Sequence, residues 1–270
     1  MSEIEIGLVG AAGRMGQMLV RQIAETKGAR LVAASEAPNG PSVGKDAGEV
    51  AGLARTGVNI AGSPESVFDH AQVVIDFTIP KASAAHADLA AAKGVALVVG
   101  TTGLSTEEGA RVRAAAAKVP VVWTGNMSVW VTLLAELVQR VARTLDPAYD
   151  VEIVEMHHRH KIDAPSGTAL MLGEAAAAGR GVQLAKVSQR GRDGHTGARR
   201  SGDIGFASLR GGDVVGDHVV IFAGPGERLE LGHRAGSRQL FAQGAVRAAL
   251  WVADRGPGLY TMKDVLGLTT

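Results

Sequence analysis

The stretch Ile6–Ile23, "IGLVGAAGRMGQMLVRQI", decides how the first half of this chain folds. An apolar run ends at Gly10, glycines stand at 10, 13 and 16, and a helical pattern follows at once. Glycine at a strand-to-helix junction permits a tight turn, lets the backbone approach a pyrophosphate and lets the helix pack closely on the strand. The free amides of the helix start attract the phosphates. The spacing is Gly-x-x-Gly-x-x-Gly, with Ala11 where the commoner Gly-x-Gly-x-x-Gly pattern has its first glycine, and alone it is a weak signal that a purely structural turn also fits. The next apolar run, "RLVAASE", ends in Glu36, 20 residues beyond Gly16, where a carboxylate can accept hydrogen bonds from the adenosine ribose. Strand, loop, helix, strand and acid in that order predict a dinucleotide site. Glu36 would also repel a 2′-phosphate, and Ala37, Pro38 and Asn39 supply no cation to compensate. NADH is therefore expected to serve at least as well as NADPH.

Outward from that loop, short β-branched runs alternate with helical ones: Met15 to Thr26, "VVIDFT", Lys81 to Lys93, "ALVVGTTG", Thr106 to Lys118 and "PVVWTGN". Such alternation predicts an α/β fold with a doubly wound, Rossmann-type parallel sheet covered on both faces. Ser105 followed by Glu108 has the spacing of a capping box, which starts a helix directly after Gly-Thr-Thr-Gly and leaves that turn at a strand's carboxyl end. Past about Asp150 the pattern changes to "VEIVEMHH", a helix from Thr168 to Ala178, and "IGFASLRGGDVVGDHVVIFAGPGERLELGH", which reads as three strands in an antiparallel meander. A second, smaller mixed domain is expected to begin near residues 127–130. The amphipathic segment Ser237 to Asp254 either continues it or crosses back, and periodicity does not choose.

Composition narrows the setting. With 28 Lys and Arg against 27 Asp and Glu the net charge is +1, which gives no global reason to expect nucleic acid or an anionic membrane as partner. Cysteine is absent, so disulfides and thiolate chemistry are excluded. The start, "MSEIEIGLVG", lacks the pattern of a secretion signal, and a cytoplasmic protein is expected.

The second chemical stretch is "MHHRHKIDAPSGTAL", residues 156–170. Its histidines follow a strand and precede a helix whose first turn holds Gly167 and Thr168. Helix-start amides bind anions, and His158 and Lys161 would strengthen that site for a carboxylate. A histidine and a lysine close together repel, which favours proton release and suits protonation of whatever a hydride has reduced. Two other readings remain open: a metal site on His157, His158 and His160, which adjacent Lys161 and the lack of matched carboxylate spacing disfavour, and a solvated basic turn. His195, His218 and His233 are scattered and read as ordinary structural or surface histidines.

"GAAGRMG", "VIDFT", "GTTG", "GNMSV", "EMHHRHKIDAPSGTAL" and "GHTGARRSGDIGFASLRGGDVVGDH" occur in the order found in the dihydrodipicolinate reductase (4-hydroxy-tetrahydrodipicolinate reductase) family of the diaminopimelate and lysine pathway, and the chain resembles that family nearly end to end. The resemblance implies a homotetramer. A dinucleotide domain of residues 1–128, with 239–270 packing back on it, would accompany a substrate-binding and oligomerisation domain of residues 129–238. It implies hydride transfer from NADH or NADPH to a cyclic conjugated imine dicarboxylate, with no metal. His157 would be the proton donor or acceptor, Lys161 the proton donor, and His158, Gly167 and Thr168 would hold the substrate carboxylates. Gly10, Ala11, Ala12, Gly13, Arg14, Met15, Glu36, Gly100, Thr101, Thr102, Thr124, Gly125, Asn126 and Met127 would line the cofactor.

The chain departs from the family pattern in places. Ala37 follows Glu36 where members often carry an arginine, in agreement with the NADH argument. Trp130, Val131 and Thr132 stand where Gly-Val-Asn is usual, and an indole in place of glycine must displace backbone or fill a pocket. Gly232 and Gly236 replace hydroxyl residues. These changes keep two alternatives in play: a related imine reductase of altered substrate scope, and a dinucleotide-sensing module without turnover, which has no need of a proton-donating His157 and Lys161.

Overall fold

The structure, a computed structural model, describes residues 3–269. The chain divides into two compact units, one running up to Ser128 and resuming at Gln239, the other Val129–Arg238.

The first unit opens with β1 (Ile4–Val9), α1 (Arg14–Glu25), β2 (Ala29–Ser35), α2 (Ala47–Val50), β3 (Ile60–Ala61) and α3 (Glu65–His70). It continues through β4 (Val73–Asp76), α4 (Pro80–Lys93), β5 (Ala96–Val99), α5 (Thr106–Ala116) and β6 (Pro120–Trp123). The second unit holds α6 (Val129–Thr144), β7 (Asp150–His157), α7 (Gly167–Gly179), α8 (Leu184–Val187), β8 (Ser188–Arg190), β9 (Ile204–Arg210), β10 (Gly216–Gly224) and β11 (Glu227–Ala235). The chain then returns to the first unit as α9 (Gln239–Val252), β12 (Gly258–Tyr260) and α10 (Met262–Val265).

The first sheet has the order β12-β6-β5-β4-β1-β2-β3 and is parallel throughout. Its central strands carry unbroken apolar runs because helices cover both faces: β4 and β5 are buried at every position. The order reverses at β1, between β2 and β4, which is where open sheets of this kind bind ligands at the strands' carboxyl ends. In the structure α9 belongs to the first unit, and Gly244 lies so close to the Met127 carbonyl that a β-carbon there would collide with it.

The second sheet has the order β11-β10-β7-β9-β8. The expected meander is corrected here. β10 and β11 do form an antiparallel hairpin, but β9 runs parallel to β7, and β7 separates it from β10. The link from β9 to β10 crosses the end of β7, where Gly211 N donates to His157 O at 2.9 Å and Arg159 N donates to Gly212 O at 3.3 Å. A central strand needs partners on both edges, and this crossing supplies them in place of a simple turn. Burial in β7 alternates strictly: Val151, Ile153, Glu155 and His157 face one way. Val151 and Ile153 join Phe206, Val220 and Phe222 under α6 and α7, where Leu134, Val138, Leu172 and Ala176 close the core. Each large apolar side chain fully buried there contributes about 1.5–3 kcal/mol. Two residues further along the same face, the core gives way to Glu155 and His157.

Candidate active site

The glycine loop closes as its sequence demands. Gly10 has φ +72°, a left-handed backbone that favours glycine, and a β-carbon at Gly16 would collide with the Gly10 carbonyl, so α1 can approach the turn only because residue 16 is glycine. The N-cap of α1 is Gly13, which offers no side-chain cap, and the first turn holds no acid. Its amides thus remain open to an anion. Glu36 comes to the same loop: its carboxylate accepts from Ala12 N at 3.0 Å and from Ala37 N at 2.9 Å. A cleft of about 920 Å³ opens beside them, lined by Gly10, Gly13, Glu36, Phe77, Thr78 and His86 among others. Arg14 is exposed at the start of α1, and Ala11, Ala12 and Met15 complete the turn. Gly100, Thr101 and Thr102 follow β5, and Thr124, Gly125, Asn126 and Met127 follow β6, at the same sheet edge.

Sequence reading missed what ties this edge together. Asp76, at the end of β4, is fully buried. Its Oδ1 accepts from Thr78 N at 2.8 Å and Thr78 Oγ1 at 2.6 Å, with Thr101 Oγ1 at 3.4 Å, and its Oδ2 lies 2.8 Å from His86 Nδ1. Ser83 Oγ donates to Thr101 Oγ1 at 2.7 Å. One carboxylate therefore joins the turn after β4, helix α4 and the Gly-Thr-Thr-Gly turn. The signal available was Asp76 itself, a charge closing an otherwise apolar strand.

In the second unit, Glu155 takes the corresponding part. Arg210 meets it with both Nη atoms at 2.9 Å, Ser166 N donates to it at 3.2 Å, and His157 Nδ1 lies 2.6 Å away. Burial would raise the Glu155 carboxyl, but the hydrogen bonds from Arg210 and His157 outweigh it and hold it at about 2. An ionised carboxylate only accepts, so His157 Nδ1 is the donor and Nε2 is the atom left to exchange a proton. Space at Nε2 is kept by Gly216, whose β-carbon would stand 3.0 Å from it.

Lys161 is not paired with His157. Its Nζ donates to both oxygens of Asp163, at 2.7 and 2.8 Å, so each proposed proton donor has its own carboxylate. α7 starts at Gly167, one residue earlier than the expected Thr168, and its N-cap is Ser166, whose Oγ accepts from Ala169 N at 3.1 Å. Gly167 and Thr168 form the first turn. Burial, and then the cations Arg238, His160 and Lys161 with His157, push His158 down, and its Nδ1 is buried with no partner among the described residues. His218, read as an ordinary histidine, is 4% exposed and lies against this cluster: its Nε2 is 2.9 Å from Ser166 Oγ and its ring meets that of His157 edge-on, with centroids 5.1 Å apart. Trp130 is 66% exposed in the first turn of α6, so within its unit it fills no pocket and leaves the helix regular, whereas Val131 and Thr132 are buried.

Comparison with known proteins agrees with this geometry. The model described as dihydrodipicolinate reductase, N-terminus, matches residues 4–127, and that described as dihydrodipicolinate reductase, C-terminus, matches residues 131–266. The chain is 56% identical over 269 residues to the 4-hydroxy-tetrahydrodipicolinate reductase of Rhodopseudomonas palustris strain BisB18, covering all of this chain and 99% of that protein. It is 56% identical over 268 residues to that of Rhizobium rhizogenes strain K84, covering 99% and 98%. A solved dihydrodipicolinate reductase from Paenisporosarcina sp. TG-14, described as dipicolinate-bound, superposes with TM-score 0.76 at 26% identity, covering 96% of this chain and 97% of that one.

The class is thus an oxidoreductase that joins a Rossmann-like parallel sheet to a mixed-sheet unit. The chain belongs to the dihydrodipicolinate reductase family and carries its 4-hydroxy-tetrahydrodipicolinate reductase activity in lysine biosynthesis.

Proposed function

We propose that hydride from a nicotinamide dinucleotide held by the first unit reduces a cyclic imine dicarboxylate held by the second, at the residues assigned above. The observation that carries this reading is the Glu155–His157 pair beside the start of α7. It places an oriented imidazole next to a helix terminus suited to a carboxylate, and the orphaned Nδ1 of His158 is a further polar atom for the same anion. Converting the 4-hydroxy compound to tetrahydrodipicolinate replaces a hydroxyl by hydride, and the hydroxyl must take up a proton to leave as water; His157 Nε2 and Lys161 Nζ are the groups assigned to supply that proton. Gly167 and Thr168 hold the substrate carboxylate.

The bound dinucleotide supplies the hydride. The open first turn of α1 suits its pyrophosphate, and Gly10 to Met15, Glu36, Gly100 to Thr102 and Thr124 to Met127 are its proposed contacts. NADH is proposed to serve at least as well as NADPH, because Glu36 lines the cleft and the arginine that lines it, Arg111, is already engaged by Asp88. A homotetramer is proposed to form through the sheet face of the second unit that α6 and α7 leave uncovered, where Val154, Met156, Val219 and Ile221 are half-buried and Leu209 is 50% exposed. No helix among the described residues is long and apolar enough to cross a membrane, and a cytoplasmic setting is proposed.

The test follows NADH absorbance with enzymatically generated 4-hydroxy-tetrahydrodipicolinate and then with other cyclic imine acids. Oxidation with the first supports the reading. Oxidation with the others alone would mean altered scope, and oxidation with none would leave a sensing module.

A further inference from the structure

Three imidazoles stand on one face of the second sheet: His157 on β7, His218 on β10 and His233 on β11, the last two directly paired across their strands. Only His157 has a part in the reaction proposed above. His218 nevertheless occupies a position that should be apolar, since Val220 and Phe222, two and four residues on, fill the core. Its own cross-strand neighbour is Glu155.

The contacts of His218 converge on Ser166. The serine oxygen accepts from Ala169 N and so caps α7, the serine amide donates to Glu155, and the serine oxygen lies 2.9 Å from His218 Nε2. With one lone pair taken by Ala169, the serine hydroxyl hydrogen can point at Nε2, and in that tautomer the ring proton sits on Nδ1. That Nδ1 is buried and unpartnered among the described residues. A buried orphan donor is costly, so a stability argument alone would favour an apolar residue here. Burial, and then the neighbouring His157, hold the His218 ring down at about 4, with Glu155 acting the other way and His233 and Lys161 adding to the depression. The ring therefore stays neutral, and remains an acceptor for Ser166, throughout the neutral range.

We infer that His218 is a positioning residue: by accepting the Ser166 hydroxyl it fixes the cap of α7, and with it the Gly167–Thr168 amides that receive the substrate carboxylate, in register with the His157–Glu155 pair. This rests on the reading of the second unit as the dicarboxylate site. A ligand readout independent of turnover keeps the two separable.

The test uses the full-length protein, with dipicolinate as the binding probe and 4-hydroxy-tetrahydrodipicolinate as substrate. A glutamine amide reaches the place of Nε2, whereas an asparagine amide reaches only that of Nδ1. His218→Asn and His218→Ala are expected to weaken dipicolinate binding and raise the imine KM about tenfold, with a smaller change in kcat and no change in NADH affinity. His218→Gln should restore both to within about threefold of wild type. Ser166→Ala, which removes the same bond from the other side, should reproduce the loss, and adding it to His218→Ala should cost little more. Wild-type dipicolinate affinity in a folded His218→Ala protein would overturn the inference. So would equal losses in the Gln and Asn variants, which would mark a packing role only. If His218→Ala does not fold, Ser166→Ala decides: unchanged binding there overturns the inference. A wild-type protein that binds dipicolinate but turns over no imine would instead defeat the proposed function and leave this test standing.

Discussion

Two buried carboxylates stand at strand ends in this molecule, and each meets a histidine at Nδ1: Asp76 reaches His86 at 2.8 Å, and Glu155 reaches His157 at 2.6 Å. Their remaining partners differ. Asp76 is surrounded by hydroxyls and an amide from Thr78 and Thr101, drawn from separate turns, so it acts as a knot that fixes backbone at the carboxyl ends of the parallel strands. Glu155 has a guanidinium as well, from Arg210, which is further anchored by donating to Asp163 O at 2.7 Å. A carboxylate held ionised by a fixed cation dictates the tautomer of its histidine and leaves Nε2 beside Gly216 free for proton exchange. The same carboxylate–imidazole pairing is thus architecture in one unit and, in the proposed reaction, chemistry in the other, and the third partner makes the difference.

The contrast breaks most readily at the reaction rate. Lys161→Ala should lower kcat by about two to four orders of magnitude while NADH affinity stays nearly unchanged, and steady-state kinetics with a separate cofactor titration checks both. Asp76→Asn should do the reverse, raising the KM for NADH with kcat within a few-fold; a collapse of kcat there would erase the distinction.

Next in size is stability. Glu155→Ala leaves Arg210 facing a vacancy in a buried setting and should cost about 3–5 kcal/mol in denaturant unfolding. Asp76→Ala strands neutral hydroxyls and an imidazole and should cost about 1–3 kcal/mol.

Acidification sharpens the comparison further. Glu155 is depressed from 4.5 to about 2, so its contribution is present above pH 4.5 and is lost as pH falls toward 2. His218 is depressed from 6.5 to about 4, so the unfolded chain binds its proton first and stability falls as pH drops from 6.5 through 4. Tm measured against pH should therefore decline more shallowly between 6.5 and 4 in His218→Gln than in wild type. The smallest effect concerns the cofactor: Ala37→Arg should raise kcat/KM for NADPH relative to NADH by about tenfold, by giving a 2′-phosphate the cation that Glu36 lacks beside it.

Much of the first unit was legible because its signals are local. The glycines at 10, 13 and 16, the acid at 36 and the capping box, with Ser105 N donating to Glu108 at 2.7 Å and Glu108 N to Ser105 Oγ at 3.2 Å, all lie within short spans where spacing and backbone demand coincide. The second unit was legible only in part. His157, His158, Lys161, Gly167 and Thr168 announce themselves as a dense run, but Glu155, a charge in the buried phase of β7, was not singled out. Arg210 and His218 were not visible, because they reach Glu155 and Ser166 through strand pairings that the sequence misassigned: a meander would have set β9 beside β10, away from β7.

The sequence by itself determined the alternation that builds a parallel sheet, the glycine turn that only glycine can make, and the residue types gathered between 157 and 168. Tertiary structure alone decided that β7 lies between β9 and β10, and hence that an arginine 55 residues away and a histidine 63 residues away meet the face of Glu155 and His157. Local spacing fixes dihedral angles and caps within a turn or two. Which strands become neighbours depends on burying both edges and one whole face of a sheet at once, and that free energy belongs to the assembled unit and to no single stretch of its chain.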